Sequence, residues 1–157
     1  MRILYIHGLD NIPTSSELEI LRDKGHDVFS LEFDYRKQVD TFDVLVEYAQ
    51  TNEIDYIIGA SVGGYYGYWL GHLLGKNQLL FNPAMPFRSV RVQSHNIEER
   101  RDVGSYVVLG AHDDVIPTNL NLSYFSTKDN VRLITCEWMG HQVDLKTFQE
   151  MIQLAGL

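Results

Sequence analysis

Gly59-Ala60-Ser61-Val62-Gly63 is the stretch on which the reading of this chain turns. It follows the apolar run Tyr56-Ile57-Ile58 and opens a segment in which Val62, Tyr65, Tyr66, Trp69, Leu70 and Leu73 share one helical face. A turn from strand to helix this sharp strains the backbone of its middle residue. Side chains two positions to either side would collide, and glycine removes the collision. The serine hydroxyl is then held clear of the strand, above the N-terminus of the following helix. With each residue type at about 7% of a chain, the pattern would arise by chance roughly 0.05 times in this length.

Outward from that turn, apolar strand-like runs alternate with segments of helical period. The expected strands are Ile3–Ile6, Val28–Phe33, Tyr56–Ile58, Leu79–Phe81, Tyr106–Leu109 and Val131–Thr135. Their nearly continuous β-branched and aromatic character suits parallel strands covered on both faces. Ser16-Glu17-Leu18-Glu19 reads as a capping box for a first helix. Phe42, Leu45, Val46 and Ala49, and later Phe148, Met151, Ile152 and Ala155, recur at helical spacing. Such an alternation predicts right-handed crossovers and an open sheet that binds ligands at the carboxyl ends of its strands. The expected fold class is α/β, with about six mostly parallel strands flanked by helices in one domain over residues 1–157.

A serine becomes a nucleophile only beside a base that a third group orients. Gly110-Ala111-His112-Asp113-Asp114 follows one expected strand and offers a carboxylate; Met139-Gly140-His141 follows the last strand and offers an imidazole. The order Ser, Asp, His is that of α/β-hydrolases rather than of the chymotrypsin or subtilisin folds. Asp113, at the start of the turn, is preferred as the acid over Asp114, which reads as an exposed neighbour or a cap for a helix after Pro117. The strand before it ends in Phe81-Asn82-Pro83 and offers no acid. The oxyanion donors are expected at the backbone amides of Val62 and Leu9, with Asp10 as fallback for Leu9. Gly8 turns the first loop into the site, and His7 is read as a structural support of that loop.

The other ionisable residues point to no further chemistry. His26, His72, His95 and His112 show no metal-ligand spacing and there is no CxxC, so no metal or other cofactor is expected. Cys136 lies in an apolar run and reads as an inert core thiol. Tyr65, Tyr66, Tyr68 and Trp69 read mainly as packing against the sheet. The net charge of −8 argues against a nucleic-acid partner, and no 18-residue apolar run exists to span a membrane. The first residues pass straight into a strand without a signal peptide's pattern, from which a cytoplasmic setting is expected. Arg88, Arg91, Arg100 and Arg101 stand against this acidic background, with Glu98, Glu99 and Asp102 among them. They read as a solvated surface segment, with an anion-binding rim as the alternative.

Gly59-Ala60-Ser61-Val62-Gly63-Gly64-Tyr65-Tyr66 with Trp69-Leu70, Leu4-Tyr5-Ile6-His7-Gly8-Leu9, and Phe81-Asn82-Pro83-Ala84 together resemble the small bacterial YqiA-type esterases of the α/β-hydrolase superfamily. The likeness is close over the first half and looser later. It implies a compact hydrolase with little or no cap, acting on ester or thioester bonds of acyl substrates, with Ser61, Asp113 and His141 in the roles that spacing gives them. The short stretch from Pro83 to Gly104 and Gln142 after the histidine depart from that pattern. With scarcely any cap, a shallow pocket and short acyl chains are expected. The rival readings are a non-catalytic binding protein on the same scaffold and an amidase or peptidase of the same fold.

Overall fold

The computed structural model describes residues 1–10, 12–86, 88–92 and 96–157. The described residues form six strands and five helices, alternating except that β5 follows β4 directly: β1 (Arg2–Ile6), α1 (Ser15–Asp23), β2 (Asp27–Leu31), α2 (Thr41–Thr51), β3 (Tyr56–Ala60), α3 (Val62–Leu74), β4 (Asn77–Phe81), β5 (Ser105–Gly110), α4 (Thr118–Phe125), β6 (Val131–Cys136) and α5 (Leu145–Ala155). All neighbouring strands are parallel, in the order β2-β1-β3-β4-β5-β6. The chain moves outward from β1 to β2 and then returns past β1 to β3. The switch point therefore lies between β1 and β3, where an open sheet leaves a crevice at the carboxyl ends.

Successive strand residues face opposite layers. Leu4, Ile6, Ile57, Leu80, Val107 and Leu109 pack under Leu45 of α2, Tyr66 and Leu70 of α3 and Phe125 of α4. Ile3, Tyr5, Ile58, Leu79, Phe81 and Val108 pack on the other side with Leu21 of α1 and Phe148 and Ile152 of α5. These strand residues are 0–4% exposed, so the central strands are covered on both faces, and their near-continuous apolar runs follow from that. Tyr65, Tyr66 and Tyr68 are buried in this packing, and Trp69 lies partly buried against it.

Three local expectations move. The first helix is capped two residues earlier than Ser16. Thr14 is extended, accepts the Glu17 N–H and in turn donates its own N–H to the Glu17 carboxylate, while Ser16 is already helical. Both positions satisfy the S/T-x-x-E pattern, and the reciprocal hydrogen bonds of the box form at the earlier one. β2 ends at Leu31 rather than Phe33, because the Phe33 N–H donates to His7 Nε2 instead of to a strand. Of the two readings of Asp114, the exposed neighbour holds and the helix cap does not, since α4 starts after Pro117 without a side-chain cap.

The approach of α3 to β1 is as close as chain geometry permits. A Cβ at Gly63 would run into the carbonyl oxygens of Ile6 and His7, and one at Gly59 would lie 2.6 Å from the Gly63 carbonyl oxygen. We expect Gly63→Ala to destabilise the fold by about 2 kcal/mol or more, because the obstructing atoms are backbone and cannot rotate away. Urea denaturation measures this, and an unchanged midpoint would contradict the packing described.

Candidate active site

Ser61 joins β3 to α3 with φ 54° and ψ −118°, a conformation that an L-residue holds at a cost of about 1–3 kcal/mol. It persists because neighbouring groups fix the turn. The Ser61 N–H donates to the Phe81 carbonyl at 2.9 Å, extending the pairing of β3 with β4. The Ser61 carbonyl accepts from Tyr65 one turn along α3 and from Ala84 beyond β4. A Cβ at Gly64 would lie 2.9 Å from Pro83, so glycine also lets the β4 loop close over the turn.

The three candidate residues meet at the carboxyl end of the sheet. Ser61 Oγ stands 3.1 Å from His141 Nε2, and His141 Nδ1 stands 2.9 and 3.0 Å from the Asp113 oxygens. A carboxylate accepts only, so Nδ1 carries the hydrogen and Nε2 is left to accept from the serine hydroxyl. The Asp113 side chain is 1% exposed and that of His141 18%. Asp113 Oδ1 also accepts the N–H groups of Val115 and Ile116, so the turn itself fixes the carboxylate. Asp114, one residue on, is exposed. The geometry therefore brings Asp113, and not its neighbour, to the imidazole.

The loop after β1 closes the other side. A Cβ at Gly8 would lie 3.3 Å from Ser61 Cβ. Leu9 and Val62 both line the cavity beside Ser61, and neither amide N–H has a partner among the described residues. His7, 3% exposed, faces away from this row. Its Nδ1 donates to the Gly8 carbonyl at 2.5 Å, its Nε2 accepts from Phe33, its ring stacks on Phe33, and its carbonyl accepts from the Tyr35 hydroxyl. His7 thus pins the first loop, as its place in the sequence implies. Burial holds its pKa below the usual 6.5 against the opposing pull of the Gly8 carbonyl and Glu32.

One residue of the site escapes a reading of motifs. Asn82 follows β4 with φ 42°, is 2% exposed, and holds three loops with one amide. Its Nδ2 donates to the carbonyls of Gly140 and His141 at 2.9 and 2.8 Å, and its Oδ1 accepts the Gly110 N–H at 2.7 Å. The loops bearing His141 and Asp113 are therefore fastened to the strand beside the one that leads into Ser61. The available signal was Asn in Phe-Asn-Pro, since asparagine tolerates a left-handed backbone where other side chains resist it.

The cavity over this row has a volume of about 600 Å³. It is roomier than the sparse stretch after β4 suggests, because its walls come from elsewhere: Leu9, Ile12 and Pro13 before α1, Val143 before α5 and Leu145 at its start. The arginine-bearing stretch divides. Arg88 lines the cavity, Arg100 pairs with Asp102 at 2.7 Å, and Arg91 and Arg101 are exposed. Of the other histidines, His26 lies by the N-terminus, His72 is buried with Nδ1 accepting the Arg100 N–H, and His112 is exposed. His95 lies outside the described residues. Cys136 is 1% exposed, and burial raises its thiol pKa. Among the described residues no group of three or more His, Cys, Asp or Glu is arranged to hold a metal, and no helix is long and apolar enough to cross a membrane.

A parallel six-stranded sheet with a strained serine turn at its switch point defines the class: the chain has the α/β-hydrolase fold. Residues 2–154 match the uncharacterised protein family UPF0227, the YqiA-like family, and the chain belongs to it. Est1E from Butyrivibrio proteoclasticus aligns at 15% identity with a TM-score of 0.73, covering 99% of this chain and 86% of its own. Mouse alpha/beta hydrolase domain-containing protein 10 aligns at 11% identity and 0.75, covering 99% and 88%. A monoacylglycerol lipase from Paleococcus ferrophilus aligns at 10% identity and 0.75, covering 99% and 92%. At such identities the likeness is one of fold. No curated protein sequence matches the chain.

Two outcomes follow from the supports of the site. Asn82→Ala leaves the buried Gly110 N–H and two half-buried carbonyls without their partner, and should cost about 2 kcal/mol in urea denaturation and speed amide exchange at Gly110; unchanged exchange there would contradict the tie. His7 binds its proton more weakly folded than unfolded, so its contribution to stability is complete above pH 6.5 and declines as pH falls below that value. Ring-nitrogen NMR should find His7 protonated at Nδ1 and titrating below 6.5; a midpoint at or above 6.5 would contradict the assignment.

Proposed function

We propose that the protein is a serine hydrolase that cleaves carboxylic ester or thioester bonds through an acyl-enzyme on Ser61. The observation that carries this reading is the unbroken row from Ser61 Oγ to His141 at 3.1 Å and from His141 to Asp113 at 2.9 Å. The fold of the lipase and the other hydrolases reported above supports it, as does membership of the YqiA-like family.

In the proposed reaction His141 Nε2 takes the hydroxyl proton as Ser61 Oγ attacks the acyl carbonyl. Asp113, holding Nδ1–H, fixes the tautomer and stabilises the imidazolium that forms. The oxyanion is received by the amides of Leu9 and Val62, each donor contributing on the order of 3 kcal/mol. Collapse expels the alcohol or thiol, which takes the proton from His141. His141 then draws a proton from water, hydroxide equivalent attacks the acyl-serine, and the acid leaves as Ser61 regains its hydrogen. The pre-strained serine contributes by holding Oγ in the attacking position before substrate arrives. The cavity of about 600 Å³, lined by apolar and charged side chains together, has room for a small acyl substrate beside Ser61.

The test is turnover of p-nitrophenyl esters from butyrate to octanoate, an acyl thioester and an acyl anilide. Ser61→Ala, His141→Ala and Asp113→Asn should each lose about 10⁴-fold in kcat, and Asp114→Asn less than about threefold. Asp114→Asn failing where Asp113→Asn survives would overturn the choice of acid. Folded protein that turns over none of the substrates would indicate a binding scaffold instead, and cleavage of the anilide alone an amidase.

A further inference from the structure

The cavity holds four charged side chains beside the catalytic row, and three are carboxylates whose two oxygens are both already engaged by neighbouring donors. Asp10 receives both terminal nitrogens of Arg36, at 2.6 and 2.9 Å. Glu17 accepts from the Thr14 N–H and hydroxyl on one oxygen and from the Tyr5 hydroxyl on the other. Asp144 spends both oxygens on Thr147 at the start of α5.

Arg88 differs. One terminal nitrogen donates to the carbonyls of Ala84 and Met85, and the guanidinium lies 4.3 Å over the Tyr65 ring. Its Nε–H and its other terminal nitrogen have no acceptor, and it has no carboxylate partner, among the described residues. Those two nitrogens form the side-on fork that matches a carboxylate. The fork is also held in place relative to the nucleophile. Ala84 and Tyr65, which anchor it, each donate a backbone N–H to the Ser61 carbonyl, at 2.9 and 3.1 Å. In a chain of net charge −8, a fixed cation with spare donors inside the reaction cavity runs against the field of the whole molecule.

We propose that Arg88 is a specificity residue that binds a carboxylate carried by the substrate, so that the preferred ester or thioester is anionic away from its scissile bond. This deepens the hydrolase reading and rests on it. The carboxylate can belong to the acyl part or to the leaving group, and the recognising chemistry is the same for both.

Two matched pairs separate these sources: mono-p-nitrophenyl suberate against p-nitrophenyl octanoate, and para-carboxyphenyl butyrate against para-carbamoylphenyl butyrate. For the full chain, the anionic member of one pair should exceed its neutral twin in kcat/KM by about tenfold, the scale of a charge-assisted hydrogen bond. Arg88→Gln should bring that ratio close to one, while Arg88→Lys should retain part of it. Reading a ratio within each variant cancels any general disturbance of the loop. Raising the salt concentration about tenfold should lower the ratio for the unaltered protein. Ratios near one for both pairs, or a ratio that survives Arg88→Gln, would overturn the proposal while leaving the hydrolase reading intact. Failure to cleave any of the four esters would overturn the hydrolase reading and this proposal together.

Discussion

The site depends on a contact in which no side chain takes part: the backbone of α3 at Gly63 pressed against the carbonyl oxygens that end β1. Because that approach leaves no room for a Cβ, the turn between β3 and α3 has no slack, and Ser61 absorbs the bend with φ 54°. A strained residue persists only where its surroundings over-determine it. Here the Ser61 N–H is taken by Phe81, its carbonyl is shared by Tyr65 and Ala84, and Pro83 closes over Gly64. The strain therefore becomes an orientation, with Oγ directed at the imidazole before any ligand arrives.

The same economy of polar groups sets the other two members of the row. Asp113 receives two turn amides as well as His141, and Asn82 uses a single buried amide to fasten the loops bearing Asp113 and His141 to β4. Buried polar groups of this kind are costly when half satisfied and specifying when fully satisfied. Each bond that steadies the geometry is also one that the fold needs, so damage to the site's supports registers as lost stability as well as lost alignment.

The sheet, its strand positions and the serine turn were legible because they follow from periodicity and from a glycine pattern with a steric cause. The convergence of Asp113 and His141 was legible too, since both follow strands and ligands gather where parallel strands end. Asn82 was not. Its role arises from hydrogen bonds to residues 28 to 59 positions away, and no local spacing encodes those partners. That Thr14 rather than Ser16 caps α1 was not legible, because two overlapping patterns each offer a Ser or Thr three residues before a Glu. The size of the cavity also lay beyond local reading, since its walls are loops brought in from before α1 and α5.

The claim on which the account rests is that Ser61 is the activated nucleophile. Treating the folded protein with a fluorophosphonate and mapping the adduct by peptide mass spectrometry tests it most directly. The account predicts a single phosphonylated residue, Ser61, formed at a rate that collapses when His141 is replaced by alanine. An unmodified Ser61, or an adduct whose formation is indifferent to His141, would contradict it.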